Sequence, residues 1–141
     1  MSRENVEIVR AGLAAWRDGT PDLDVHLSRF HPQLVYHPRA DEPDPSPHIG
    51  REAYAELLQG FTDSFSEIRM EVLELIDAHD LVIAPTVLHC RLRESGVEVR
   101  DTYVFVFSVR GGLIVESWEY RTKDEALEAL GLSGQGAHAD S

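Results

Sequence analysis

The sequence predicts an α+β domain in which N-terminal helices pack on a curved, antiparallel or mixed sheet and enclose an apolar pocket. Three observations lead there. Apolar residues recur at helical spacing over the first half of the chain, the period changes to two from about Glu67 onward, and short turn signals separate the β-rich runs that follow. Strands joined by tight turns pair antiparallel, and helices gathered ahead of them favour α+β over alternating α/β. The 141 residues suit one domain, taken as residues 1–132, with a loose tail over 133–141.

Val6, Val9, Leu13 and Trp16 mark the first helix, which stops at Asp18-Gly19. Thr20-Pro21-Asp22 supplies an N-cap, a first-turn proline and an early acid for a second, shorter helix carrying Leu23, Leu27 and Phe30. Leu34 to His37 reads as a short strand ended by Pro38, and the proline-rich stretch to Gly50 as an irregular loop. Tyr54, Leu57, Leu58, Phe61 and Phe65 form the apolar stripe of a third helix. Ile68, Met70 and Val72 begin a meander that continues over 81–92, 97–109 and 112–121. Thr122 and Glu125 then provide a capping box for a closing helix that ends at Gly131.

Charge narrows the partners. With 25 acidic residues against 13 Lys and Arg, the net charge of −12 opposes phosphate backbones and anionic headgroups, so neither nucleic acid nor a membrane is an expected partner. The charged start MSRENVEIVR lacks the apolar core of a secretory signal, and a cytoplasmic location is expected. Cys90 is the only cysteine, which removes disulfides and cysteine metal cages. The histidine spacings match no helix-borne or hairpin-borne ligand pair, and phosphate-loop, nucleophile-elbow and dinucleotide fingerprints are missing. No metal and no cofactor are therefore expected.

A two-residue turn containing Gly111 sets Val109 opposite Gly112, which places Tyr103 beside Trp118, Phe105 beside Glu116 and Asp101 beside Tyr120 on one face. A Ser95-Gly96 turn adds Thr86, Leu88 and Cys90 to that face. The opposite face carries Val104, Val106, Leu113 and Val115. Both faces are apolar and both need a cover. Helices cover the first; a second copy of the chain is expected on the valine face, giving a homodimer.

The helix ENVEIVRAGLAAWRDG, the strand Leu34-Val35-Tyr36-His37-Pro38, the segment Gly50-Arg51-Glu52-Ala53-Tyr54 and the closing run Gly112-Leu113-Ile114-Val115-Glu116 before DEALEALG together resemble SnoaL-like members of the nuclear transport factor 2 superfamily. The likeness spans roughly residues 3 to 132. It implies a cone-shaped fold with a pocket between helices and sheet, often dimeric. Its members include ketosteroid isomerases, polyketide cyclases, dehydratases, epoxide hydrolases and proteins with no catalytic role, so function must come from the site. Set beside ketosteroid isomerases, their helix-one tyrosine falls near Gly12, their base near His37 and their oxyanion-hole acid near Tyr103.

These readings nominate His37, Asp101 and Glu116 as acid–base residues, with Trp16, Tyr54, Phe61, Leu88, Tyr103, Phe105 and Trp118 lining a pocket for a small apolar molecule. His26, beside Leu23, Leu27 and Phe30, reads as a satisfied boundary histidine. Three functions fit: a proton-transfer enzyme of the cyclase, isomerase or dehydratase type, a binding module that leaves its ligand unchanged, or a dimeric interaction protein. Convergence of His37 with a carboxylate on one point in the cavity separates the first from the others.

Overall fold

Helix α1 (Ser2–Ala14), α2 (Leu23–Leu27) and α3 (Arg51–Asp63) cover one face of the sheet in the computed structural model, which describes residues 2–17, 19, 21–131 and 138–140. The strands are β1 (Phe30–His37), β2 (His48–Ile49), β3 (Phe65–Val72), β4 (Leu75–Ala78), β5 (Leu81–Leu92), β6 (Glu98–Arg110), β7 (Leu113–Tyr120) and β8 (His138–Asp140). A closing helix, α4 (Lys123–Ala129), follows β7. The sheet runs β2-β1-β7-β6-β5-β4-β8, with β3 also pairing with β5, and it is mixed because β1 lies parallel to β7. The α+β expectation holds.

Helix α1 forms because Val6 and Val9, both fully buried, and Leu13 share one stripe against the sheet. Asp22 caps α2, its Oδ1 accepting from the Val25 amide at 3.1 Å, whereas Thr20 lies outside the described residues. Thr122 caps α4 as expected, its hydroxyl accepting from the Glu125 amide at 3.1 Å while the Glu125 carboxylate accepts from the Arg121 amide. The first strand begins four residues before the expected Leu34, and His48–Ile49 adds a short strand within the proline-rich loop. Leu75–Ala78 is a strand of its own. Residues 138–140 of the expected tail pair with Leu75–Asp77, and 132–137 and 141 lie outside the described residues.

Register decides what faces the cavity. Gly111 and Gly112 have φ of 57° and 82°, left-handed values that suit a two-residue hairpin turn, so Arg110 pairs with Leu113. Val109 then pairs with Ile114, but Ser108 pairs with Glu116, which leaves Val115 as the extra residue of a β-bulge. Beyond it Phe107 faces Ser117, Phe105 faces Glu119 and Val106 faces Trp118. A strand alternates with period two, so this register puts Ser117 and Glu119 on the helix-covered face and turns Glu116 and Trp118 to the other. On the third strand the expected face is correct, although each pair slides by two residues: Tyr103 sits opposite Thr86 and Asp101 opposite Leu88.

Part of the valine face is covered within the chain. Val104 and Val106 are 4% and 0% exposed, packed with Ile76, Ile83, Ala126 and Leu127, so α4 helps to cover them, while Leu113 and Val115 on the same expected face are half-buried. Trp118 and Tyr120 flank this second core. No described helix is long and apolar enough to cross a membrane.

Candidate functional site

Between the three helices and the inner face of the sheet lies a cavity of about 310 Å³. Its walls are mainly apolar: Leu13 and Trp16 from the first helical segment, Leu58 and Phe61 from α3, Met70 and Leu88 from the strands, and Phe105 and Phe107 from β6. Polar groups enter from few directions. Glu119 and Ser117 come from β7, Tyr36 from β1, Tyr54 from α3, Tyr103 from β6 and His26 from α2. Pro38, Glu42, Pro43, Asp44 and His48 close the remaining side from the proline-rich loop. A mostly apolar concavity with a few convergent polar groups is the ordinary form of a small-molecule site.

Glu119 is the chemically distinctive group. Desolvation among the aromatic walls pushes its carboxyl up to about 7, assisted by the nearby Glu42 charge and opposed by hydrogen bonds from the Tyr36 hydroxyl and the Arg39 backbone. The Tyr36 hydroxyl donates to Oε2 of Glu119 in a close contact. Burial, and then the Glu119 charge, push the Tyr36 phenol well above its usual range, so this tyrosine stays a donor. Tyr103 is raised for the same two reasons, in the same order, and its hydroxyl lies 3.4 Å from Glu42 Oε1.

Behind them sits a buried relay. The Trp16 indole nitrogen donates to His26 Nδ1 at 2.9 Å, and His26 Nε2 lies 2.8 Å from the Tyr54 hydroxyl. Burial lowers His26 to about 4, against a smaller opposing influence of the Gly12 carbonyl, so its ring is neutral at pH 7. Fully buried Phe30 packs on both rings, its centroid 4.7 Å from that of His26 and 5.0 Å from that of Tyr54.

Arg39 fixes the loop. Its guanidinium binds Asp41 through two nitrogens at 2.9 and 3.0 Å, donates to the Thr102 carbonyl at 2.9 Å, meets Asp101 at 3.2 Å and lies 4.4 Å over the Tyr103 ring. Replacing it, Arg39→Met, is expected to cost about 2 kcal/mol, since several bonds to a charged group are lost while both acids can still reach water. Urea melts should show that loss. Limited proteolysis should cut residues 40–47 faster in the variant; an unchanged cutting rate would mean that Arg39 does not hold the loop.

Six of the seven expected lining residues, Trp16, Tyr54, Phe61, Leu88, Tyr103 and Phe105, do line the cavity. The acid–base nominations do not. His37 points to the outer face, where Nε2 lies 2.6 Å from Glu116 Oε2 and the ring stacks on Trp118 at 5.4 Å. The bulge at Val115 is the reason for Glu116 and Trp118, and the alternation of β1, with Leu34 and Tyr36 inward, is the reason for His37. Asp101 sits outside the cavity, bound to Arg39. Sequence reasoning missed Glu119, Ser117, Tyr36 and Glu42 as site residues and set His26 aside. The alternation of Leu34 and Tyr36 was the one available signal for Tyr36.

The architecture is the cone-shaped α+β fold seen in solved nuclear transport factor 2-like and ketosteroid isomerase-like structures. The profile of the SnoaL-like domain matches residues 9–117, and the chain belongs to that family. Among solved structures, AclR, a candidate hydroxylase from Streptomyces galilaeus, superposes with a TM-score of 0.72 at 18% identity, over 93% of this chain and 83% of that one. A candidate polyketide cyclase from Xanthomonas campestris pv. campestris gives 0.67 at 23% identity, over 89% and 96%. TerC, co-crystallised with polyporic acid, gives 0.71 at 19%, over 89% and 96%. These likenesses concern the fold. No curated protein sequence matches the chain.

Proposed function

We propose that the protein is a proton-transfer enzyme for a small, largely apolar molecule, with Glu119 as its general acid–base. The observation that carries this reading is the carboxyl of Glu119 in the wall of an apolar cavity, hydrogen-bonded by Tyr36 and poised to titrate at about 7. A base works best when its pKa lies near the working pH, because it is then present in the right form and still strong enough to take the proton. In the ionised form Glu119 takes a proton from a carbon beside a carbonyl, the C–H electron pair becoming the C=C bond of an enolate as the carbonyl pair moves onto oxygen. Tyr36 steadies the anion before transfer, and the protonated acid returns the proton to another atom. Cyclisation, isomerisation and dehydration all use this pair of steps, and the cyclase relative in the same fold is consistent with them.

The substrate is expected to be neutral. Glu42, Asp44 and Glu119 line the cavity, whereas the neighbouring Arg39 is already engaged by Asp41 and Asp101. Two measurements test the reading. Native mass spectrometry of protein purified from cells should reveal a retained apolar ligand. With 1-indanone as probe in deuterium oxide, the protein should accelerate exchange of the hydrogens beside the carbonyl, with a rate that rises as pH passes through about 7. Binding without any exchange would favour a carrier in place of an enzyme.

A further inference from the structure

Where α1 meets strand β3 and the turn after it, a groove of about 450 Å³ opens apart from the cavity that holds Glu119. Its floor is apolar, built from Leu13, Met70 and Leu75, and Leu73 stands at its rim with 57% of its surface exposed. Arg10, Arg17 and Arg69 line it as well. Leu13 and Met70 touch both spaces, so they stand as a wall between the two.

Three arginines over an apolar floor run against the composition of a chain in which 25 acids outnumber 13 Lys and Arg. The two acids that reach the groove have partners outside it. Glu71 Oε1 lies 3.1 Å from His89 Nε2, and Glu74 Oε1 accepts from Lys123 Nζ at 3.1 Å. Arg69 makes no hydrogen bond or ion pair with any described residue. Arg10 meets Glu7 at 3.3 Å in an exposed pair, a kind of contact that contributes little and yields easily.

The strand edge adds a donor of another kind. The Ile68 and Met70 amides point away from β5, donating to the carbonyls of Gly19 and Trp16 at 2.9 and 3.0 Å, whereas the Leu73 amide points toward β5 and donates to Pro85 at 2.9 Å. Amide direction alternates along a strand, so the Val72 amide points the same way as that of Met70, toward the groove that Val72 lines.

We propose that this groove is a second ligand site, for a small amphiphile carrying one carboxylate and an apolar chain. The planar Arg69 guanidinium offers two parallel N–H groups to the two carboxylate oxygens, with Arg10 and the Val72 amide beside it. The chain lies on Leu13, Met70 and Leu73. Three arginines against two glutamates suit a single negative charge, which favours a monoanion over a phosphate dianion. The net charge of −12 opposes delivery from an anionic membrane, so the ligand comes as a free acid in solution. Glu42, Asp44 and Glu119 disfavour the same anion in the main cavity, and the proton-transfer reading does not depend on this site.

Octanoate and 1-octanol, equal in chain length and different in charge, are the probes for the whole chain. NMR follows the Leu73 methyls, the Arg69 Nε–H and the Trp16 indole N–H. Octanoate should shift the Leu73 and Arg69 signals and leave the indole, which belongs to the main cavity, in place. Its affinity there should exceed that of octanol by at least about 5-fold and fall in about 0.5 M salt, where surface charges are screened. Arg69→Gln should weaken octanoate by about 5-fold without changing octanol, and Leu73→Ser should weaken both. Both positions are exposed, so these variants fold. Octanoate that leaves the Leu73 and Arg69 signals unmoved, that shifts only the Trp16 indole, or that binds Arg69→Gln as tightly as the wild type overturns the proposal.

Discussion

Glu119→Gln is expected to lower proton exchange on a ketone probe by about 10²- to 10⁴-fold, the usual contribution of a positioned acid–base group. It should also make the protein more stable in alkaline solution. The folded state holds the Glu119 proton up to about 7, against 4.5 for an ordinary glutamate, so between those values the folded chain binds more protons than the unfolded one. Stability from this group therefore falls as pH rises through that window, by at most about 3 kcal/mol, and stays lost above it. His26 has the opposite sign: lowered from 6.5 to about 4, it leaves stability intact above 6.5 and removes it as pH falls toward 4. The two dependences offset one another in the wild type. Melts of Glu119→Gln from pH 4 to pH 8 should expose the His26 rise alone. A variant whose exchange rate is unchanged would remove Glu119 from the reaction.

The largest loss of stability is expected for Val106→Asp. Val106 has no exposed surface and lies under Ala126 and Leu127 of α4, where a carboxylate would have neither water nor a cationic partner. The cost should exceed about 4 kcal/mol, enough to unfold most of the population of a domain of ordinary stability. Circular dichroism and urea melts decide this. A folded Val106→Asp variant of altered subunit number would instead place Val106 at a contact between copies.

Much of the fold was legible because it depends on local patterns. Val6, Val9 and Leu13 declare α1 by spacing, and Thr122 with Glu125 declares the start of α4. The pocket walls were legible for the same reason: Tyr54, Phe61, Tyr103 and Phe105 follow from periodicity on elements that contain no irregularity near them. The acid–base residues were not, because Glu119 and Glu116 differ only in which side of β7 they occupy, and that side is set by one residue left out of pairing. The cover on Val104 and Val106 was illegible for another reason. A seven-residue helix announces its caps in the sequence but not the sheet face on which it will dock.

The bulge at Val115 gives strand β7 something like a reading frame. The segment from Glu116 to Tyr120 contains two complete sets of alternating side chains, Ser117 and Glu119 in one, and Glu116, Trp118 and Tyr120 in the other. As it stands, the first set furnishes the cavity. If Val115 were taken up into a regular ladder, the second set would face inward, and the cavity would exchange a serine and one glutamate for a tryptophan, a tyrosine and another glutamate. Descent with single-residue insertions or deletions near this hairpin can therefore hand a relative a different reactive lining with every other residue unchanged. Column-by-column alignment across such an event would pair side chains that stand on opposite faces of the sheet.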